Sequence, residues 1–198
     1  MILNIQNMKI IQNFISNYEA EFTASCLSKK NELNQKSVSN LLNFLRKKKL
    51  LKNRLEGRNK LFSLNLDNPN IIHFISIMEH YRTSEFYNKN PLIREISEKI
   101  KLISKGIVII FGSYAKKRHK IDSDLDIFIA GQYNENKLED IEEIYKIDIN
   151  IKHYPLNIFK KALKKNDPLI EEIIKGHIIL KGIQEFVNCL KVLHYEKN

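Results

Sequence analysis

Apolar residues recur at helical spacing from the start of the chain: Ile5, Met8, Ile11 and Ile15 share one face and predict an amphipathic helix. Thr23 then stands as a cap before a short helix carrying Ala24, Cys26 and Leu27, which Lys29-Lys30-Asn31 ends. A third helix starts at Asn34, with Val38, Leu41, Leu42 and Leu45 turned inward and Gln35, Lys36, Ser37, Ser39, Asn40 and Asn43 on or near the outside. A hairpin follows, its strands at 51–55 and 60–66 joined by a turn at Glu56-Gly57-Arg58. Asp67-Asn68-Pro69-Asn70 breaks the pattern and marks a boundary. Ile71, Phe74, Ile75, Met78 and Tyr81 form a further stripe, read most simply as intradomain core, with a joint between domains or a seam between two copies as alternatives.

After the break at Asn88-Lys89-Asn90-Pro91 the pattern alternates between helical and strand periods. It predicts a helix over 91–104, strands over 107–111, 124–130 and 147–152, a short helix over 113–119 and a longer one over 137–145. Two more helices follow Pro155, the second opened by Asn166-Asp167-Pro168 and closed by Gly176, then a short strand at 178–180 and a final helix over 183–193. The resulting order is an α+β or α/β chain. It has a helical first domain with a hairpin at 1–68, a connecting helix at 69–90, and a small mixed sheet flanked by helices at 91–198.

Charge sharpens that division. The chain carries a formal net charge of +10, and residues 1–68 hold twelve basic against five acidic side chains, which points to an anionic partner for the first domain. Two cysteines far apart, Cys26 and Cys189, imply no disulfide framework, and each is expected to be a reduced, buried apolar residue. No basic segment precedes an apolar run at the start, and no apolar stretch approaches a membrane span, so the chain reads as cytoplasmic. His73 and His80 share a helix face seven residues apart, but without a third ligand nearby they read as ordinary histidines rather than zinc ligands.

The stretch 107–127 carries the chemistry. Five apolar residues, Ile107 to Phe111, end at Gly112-Ser113, and a glycine-serine at a helix start offers backbone N–H groups and a hydroxyl that suit a phosphate. Eleven residues after Ser113 come Asp124 and then Asp126, opening an apolar strand. Residues two apart in a strand share a face, roughly 6–7 Å apart. Leu125, Ile127 and Ile129 therefore turn inward and both carboxylates turn the other way, where a divalent cation bridging protein to nucleotide needs them. Asp122, Asp124 and Asp126 imitate an EF-hand opening, but Ile127 and Tyr133 occupy its glycine and glutamate positions. No P-loop pattern occurs.

Gly112, Ser113, Ala115, Ser123, Asp124 and Asp126, at this spacing, resemble the DNA polymerase β-type nucleotidyltransferases, and most closely their minimal (MNT) branch. The family's second glycine, two residues after the alanine, is Lys117 here, a residue suited to meeting phosphate. The resemblance implies that Gly112 and Ser113, with Lys117 and Ser123, hold a nucleoside triphosphate, ATP foremost, and that Asp124 and Asp126 hold Mg²⁺ or Mn²⁺. The family keeps a third acid on a neighbouring strand, which completes a second metal site and helps deprotonate the acceptor hydroxyl. Alternation places Asp148, with Asn150 and Lys152, on the polar face of the strand predicted at 147–152, so the metal-binding and catalytic role is carried to Asp148, against the alternative of a solvated edge-strand residue. His153 and Tyr154 beside it read as packing residues.

Three helices and a hairpin within residues 5–66 resemble a winged helix-turn-helix domain. That likeness implies DNA binding, with Gln35, Lys36, Ser37, Ser39, Asn40 and Asn43 in the groove and Arg54, Arg58, Asn59 and Lys60 on the wing. Its alternative is a protein-interaction or dimerisation module. Resemblance to the minimal branch further implies a protein acceptor, as in toxin–antitoxin pairs whose antitoxin AMPylates a tyrosine of a HEPN-type ribonuclease. An RNA 3′ end is the rival acceptor. The reading from another class is a DNA-binding regulator whose transferase half only senses nucleotide, and oligomerisation is open under each.

Overall fold

The computed structural model describes residues 4–116, 118–119, 123–165 and 167–197. The chain divides into two compact units, Met1–Met78 and Glu79–Asn198. The division falls inside the predicted connecting helix rather than at either of its ends.

In the first unit, α1 (Ile5–Ser16), α2 (Ala24–Asn31) and α3 (Gln35–Lys47) each begin at a side-chain cap. Asn4, Thr23 and Asn34 accept from backbone N–H groups that the first helical turn leaves unpaired. The strands β1 (Leu51–Glu56) and β2 (Asn59–Leu64) pair antiparallel, with Glu56 opposite Asn59 across a two-residue turn. Gly57 opens that turn at φ +57°, a conformation that favours glycine. Phe14, Leu27, Val38, Leu42, Leu45, Phe62 and Leu64 form the core. Phe22 joins it, bridging to Phe62 and meeting Phe14 edge-on at 5.2 Å.

Helix α4 (Ile71–Lys89) explains where the units divide. Ile71, Ile75 and Met78 are buried in its first part, and the Met78 carbonyl accepts from Gln12. From Glu79 onward its buried groups engage the second unit: Glu79 meets His177, and Thr83 donates to the Ile179 carbonyl.

The second unit continues through α5 (Pro91–Ile103), β3 (Ser104–Ile110), α6 (Gly112–Ala115), β4 (Leu125–Tyr133), α7 (Glu135–Tyr145) and β5 (Ile149–Tyr154). It ends with α8 (Leu156–Lys164), α9 (Pro168–Lys175), β6 (Ile178–Lys181) and α10 (Ile183–Lys197). The sheet order is β5-β4-β3-β6, with β3 antiparallel to both neighbours and β4 parallel to β5 across α7. Val108, Ile110, Leu125, Ile127, Ile129 and Ile149 face α5 and α7, meeting Ile93, Ile96, Ile100, Leu138 and Ile141. The other face is covered too: Phe128 packs on Phe159 of α8, which packs on Phe186 of α10. The middle of β4, Ile127–Ala130, is therefore buried on both sides, and the carboxylates stand at its opening, with Asp126 half-buried and Asp124 exposed just before the strand. Among the described residues, no helix is long and apolar enough to cross a membrane.

The predicted helix over 113–119 is a single turn in the structure, ending at Ala115. The expectation that both cysteines are buried fails: Cys189 is half-buried and Cys26 is exposed. Helix α2 buries only Leu27, so a one-residue step around the helix carries Cys26 outward.

Candidate active site

Antiparallel pairing of β3 with β4 brings the end of one strand to the start of the other, with Ile110 opposite Ile127 and the Phe111 N–H donating to the Asp126 carbonyl at 3.0 Å. The chain then turns sharply at Gly112, whose φ is +66°. A Cβ there would run into the Asp126 carboxylate, coming within 2.9 Å of its Cγ and closer still to Oδ2. The glycine is thus required twice, by its backbone angle and by the carboxylate lying against it. The turn is held from within, since the Lys116 N–H donates to the Gly112 carbonyl and the Arg118 N–H to that of Ser113. Tyr114 and Ala115 are buried beneath it, burial raises the Tyr114 phenol above its ordinary range, and the Tyr114 ring stacks on His119 at 4.2 Å.

Asp124 is exposed, and Asp126 and Ser113 are half-buried, as is Ser123 just before the strand. Asp126 alternates with Leu125 and Ile127, so it projects to the same side as Phe128, the side covered by α8. Lys117 lies outside the described residues.

Asp148 is exposed and stands just before β5, not within a strand beginning at 147. The chain leaves α7 through Lys146 at φ 50°, and Glu142 takes up the Ile149 N–H at 2.8 Å, so the ladder opens at Ile149. The Asp148 carbonyl still accepts from the Leu125 N–H at 2.9 Å, which sets Asp148 beside Asp124 at the foot of the parallel pair. Asn150 is the residue opposite Asp126, and its amide donates to Asp126 Oδ1 at 3.1 Å. Strand alternation puts Asn150 on the polar face, but an amide carries no metal-ligand signal in the sequence. Among the described residues no three His, Cys, Asp or Glu side chains are gathered to hold a metal ion, so the three aspartates form no ready-made cage.

The donor set nonetheless fits a hard cation. The Asp126 carboxylate lies against a turn kept open by the lack of a Cβ, with Asp124 exposed two residues before it, and Mg²⁺ is commonly held by one or two carboxylates, with substrate phosphates and waters completing its shell. A second feature of this turn has no signal in the local sequence. Lys116 reaches across Gly176, where a Cβ would stand 3.3 Å from its Cγ, and its ammonium bonds Glu172 of α9 at 2.6 Å. His153 and Tyr154 are engaged internally. His153 Nε2 lies 2.8 Å from the Gly131 carbonyl, and the Tyr154 ring meets Phe128 edge-on at 5.6 Å.

In the first unit Gln35, Lys36, Ser37 and Asn40 are exposed along α3, and Arg58 and Asn59 are exposed at the hairpin. The other expected nucleic-acid residues are occupied within the unit. Asn43 donates to the Ser39 carbonyl and accepts from Lys60 at 3.0 Å, tying the helix to the hairpin. Arg54 is held between Glu21 and Glu56, and the guanidinium lowers the Glu21 carboxyl below its ordinary range.

Residues 88–185 match the family model described as "Polymerase beta, Nucleotidyltransferase". No curated protein matches the chain. Among solved structures the chain is similar to reduced HlyU from Vibrio cholerae N16961, at 21% identity over 40% of this chain and 79% of that one. The TM-score is 0.33, and at that value the likeness bears on neither fold nor function.

Proposed function

We propose, from the premise that residues 88–185 are a polymerase β-type nucleotidyltransferase domain, that the chain transfers a nucleoside monophosphate, AMP from ATP, to a hydroxyl of a partner protein. The domain makes the chain a nucleotidyltransferase; nucleotide, acceptor and residue roles are our reading. The observation that carries it is Gly112 against Asp126: a strand-end turn with open backbone lies directly on the second of two carboxylates.

In this reading the N–H groups of the Gly112–Ser113 turn and the Ser113 hydroxyl receive the β- and γ-phosphates, with Ser123 and Lys117 beside them. Asp124 and Asp126 hold Mg²⁺, which when bound neutralises charge on the triphosphate and on the departing pyrophosphate. Asn150 fixes the Asp126 carboxylate through its amide. The acceptor oxygen attacks the α-phosphorus, the bond from that phosphorus to the bridging oxygen breaks, and pyrophosphate leaves. Asp148, beside Asp124, takes the hydroxyl proton.

For the first unit we propose a winged helix-turn-helix that binds DNA through Gln35, Lys36, Ser37, Asn40 and Arg58. Support comes from helix α3, which exposes amides and a lysine on the side opposite its buried leucines. Together these describe an antitoxin-like protein that modifies a HEPN-type partner and binds DNA.

The test is incubation with Mg²⁺ and α-labelled nucleoside triphosphates, with extract protein and RNA supplied separately, beside an Asp124→Asn/Asp126→Asn variant. Label on protein from ATP, absent in the variant, is expected. Label on RNA would replace the acceptor, and no label on either would leave a DNA-binding nucleotide sensor as the better reading.

A further inference from the structure

The sheet of the second unit separates two helices of opposite charge. Helix α7 carries Glu135, Glu139, Asp140, Glu142 and Glu143 against one lysine, and packs Leu138 and Ile141 on the face shared with α5. Helix α8, with the residue after it, carries Lys160, Lys161, Lys164 and Lys165 and no acid. Phe159 fixes α8 on the other face through Phe128, the face toward which Asp126 and Lys152 project. An anionic partner is therefore attracted to α8 rather than to α7.

The same helix borders a cleft of about 890 Å³ in the second unit. Lys160 and Lys164 stand on one side of it, and Leu163, Leu180 and Ile183 supply apolar lining. Lys181 also lines it, its ammonium bonding the carbonyls of Lys101 and Ser104 at 2.9 and 2.7 Å. Glu185 is the acid in the lining. A cleft with an apolar floor and charged rim has the form of a docking site for a buried apolar anchor surrounded by rim charges.

We propose that this surface docks an acidic segment of the acceptor protein, its carboxylates on the α8 lysines and an apolar or aromatic side chain in the cleft. The inference rests on the protein-acceptor reading above and adds the chemistry of the docking face. Charge complementarity decides the occupant. A basic or neutral segment would gain nothing from four lysines, and an apolar anchor gives the cleft a use that a bare polyanion leaves empty.

The test uses the full chain carrying Cys26→Ser, which leaves Cys189, a residue lining the cleft, as its single cysteine. The probes are a fluorescent random copolymer of Glu and Tyr, a copolymer of Lys and Tyr, and a homopolymeric oligoribonucleotide, all without nucleotide. The Glu/Tyr copolymer is expected to bind and to slow alkylation of Cys189. Lys160→Glu/Lys161→Glu/Lys164→Glu should weaken it by about tenfold or more, and the milder Lys→Gln triple variant by less. All three positions are exposed or at a rim, so the variants keep the buried Phe159, Ala162 and Leu163. Binding of the oligoribonucleotide alone, binding unchanged in both triple variants, or binding that leaves Cys189 unprotected would each overturn the proposal. Because docking is read without transfer, loss of transfer with docking intact would instead remove the enzymatic reading.

Discussion

Replacing Gly112 by alanine adds one methyl group at the point where backbone and carboxylate meet, and its cost divides into two parts. A residue other than glycine at φ +66° is strained by about 1–3 kcal/mol. The new Cβ would also overlap the Asp126 carboxylate, which cannot swing away without leaving its hydrogen bond from Asn150. The first part lowers stability whatever stands at 126; the second exists only while the carboxylate is there. Gly112→Ala should therefore melt several degrees lower and, with the carboxylate displaced by about 1 Å, lose on the order of 100-fold in transfer rate. The Gly112→Ala/Asp126→Ala variant should be less destabilised than the two single changes add up to, by about 1 kcal/mol or more. Thermal or urea unfolding of the four proteins measures this directly. Additive losses would refute contact between the turn and Asp126, and an active Gly112→Ala would refute the turn as the phosphate cradle.

Asn150→Ala should lower the transfer rate about tenfold with little change in KM for the nucleotide, because it frees the Asp126 carboxylate without touching the phosphate turn; steady-state kinetics separates the two. The buried pair of Glu79 and His177, 3.1 Å apart, should tolerate Glu79→Gln better than Glu79→Leu. His177 Nδ1 faces the carbonyl oxygens of Ile173 and Ile174 and must carry a hydrogen, so a glutamine amide can still donate to Nε2, whereas leucine cannot and should cost about 1–3 kcal/mol in urea unfolding. Burial raises the Cys189 thiol, with Lys160 working against the shift and Glu185 adding to it. The thiolate is the reactive form, so in the Cys26→Ser chain iodoacetamide should react slowly at neutral pH and keep gaining rate beyond the ordinary thiol range.

Most of the fold was legible because its signals were local and redundant. Thr23 and Asn34 open helices whose apolar faces repeat at 3.6 residues, and Gly57 marks the turn of the hairpin. The strand at 107–111 and the Asp-x-Asp opening of the next were equally plain, because turn, charge and β-branched run agree there. What escaped depends on partners distant in sequence. The unit boundary at Met78 follows from His177 waiting for Glu79 nearly a hundred residues away, not from the Pro69 break. The start of β5 follows from Glu142 capturing the Ile149 N–H, and so decided whether Asp148 or Asn150 faces Asp126. Cys26 was misplaced because hydrophobicity alone does not say which side of a two-turn helix is covered.

The pairing of Asp126 with an amide rather than a third acid has a thermodynamic consequence. A cage of three carboxylates would hold a divalent cation by itself, but would set three like charges together in its absence. Here the described residues gather no such group, and Asn150 adds a hydrogen bond to Asp126 without adding charge. Two carboxylates leave most of a six-oxygen shell to be filled by phosphates and water. Cation and nucleotide should then bind as a linked pair, each raising the affinity of the other by the same factor. Calorimetric titration of Mg²⁺ into the protein alone should show weak binding. The same titration with a non-hydrolysable nucleotide present should show an affinity at least about tenfold higher, and Asp124→Asn should remove the difference. Asn150→Asp restores a third acid and should raise the affinity for Mg²⁺ alone while shrinking the coupling. Equal Mg²⁺ affinity with and without nucleotide in the unaltered protein would mean that the two carboxylates do not share their cation with substrate.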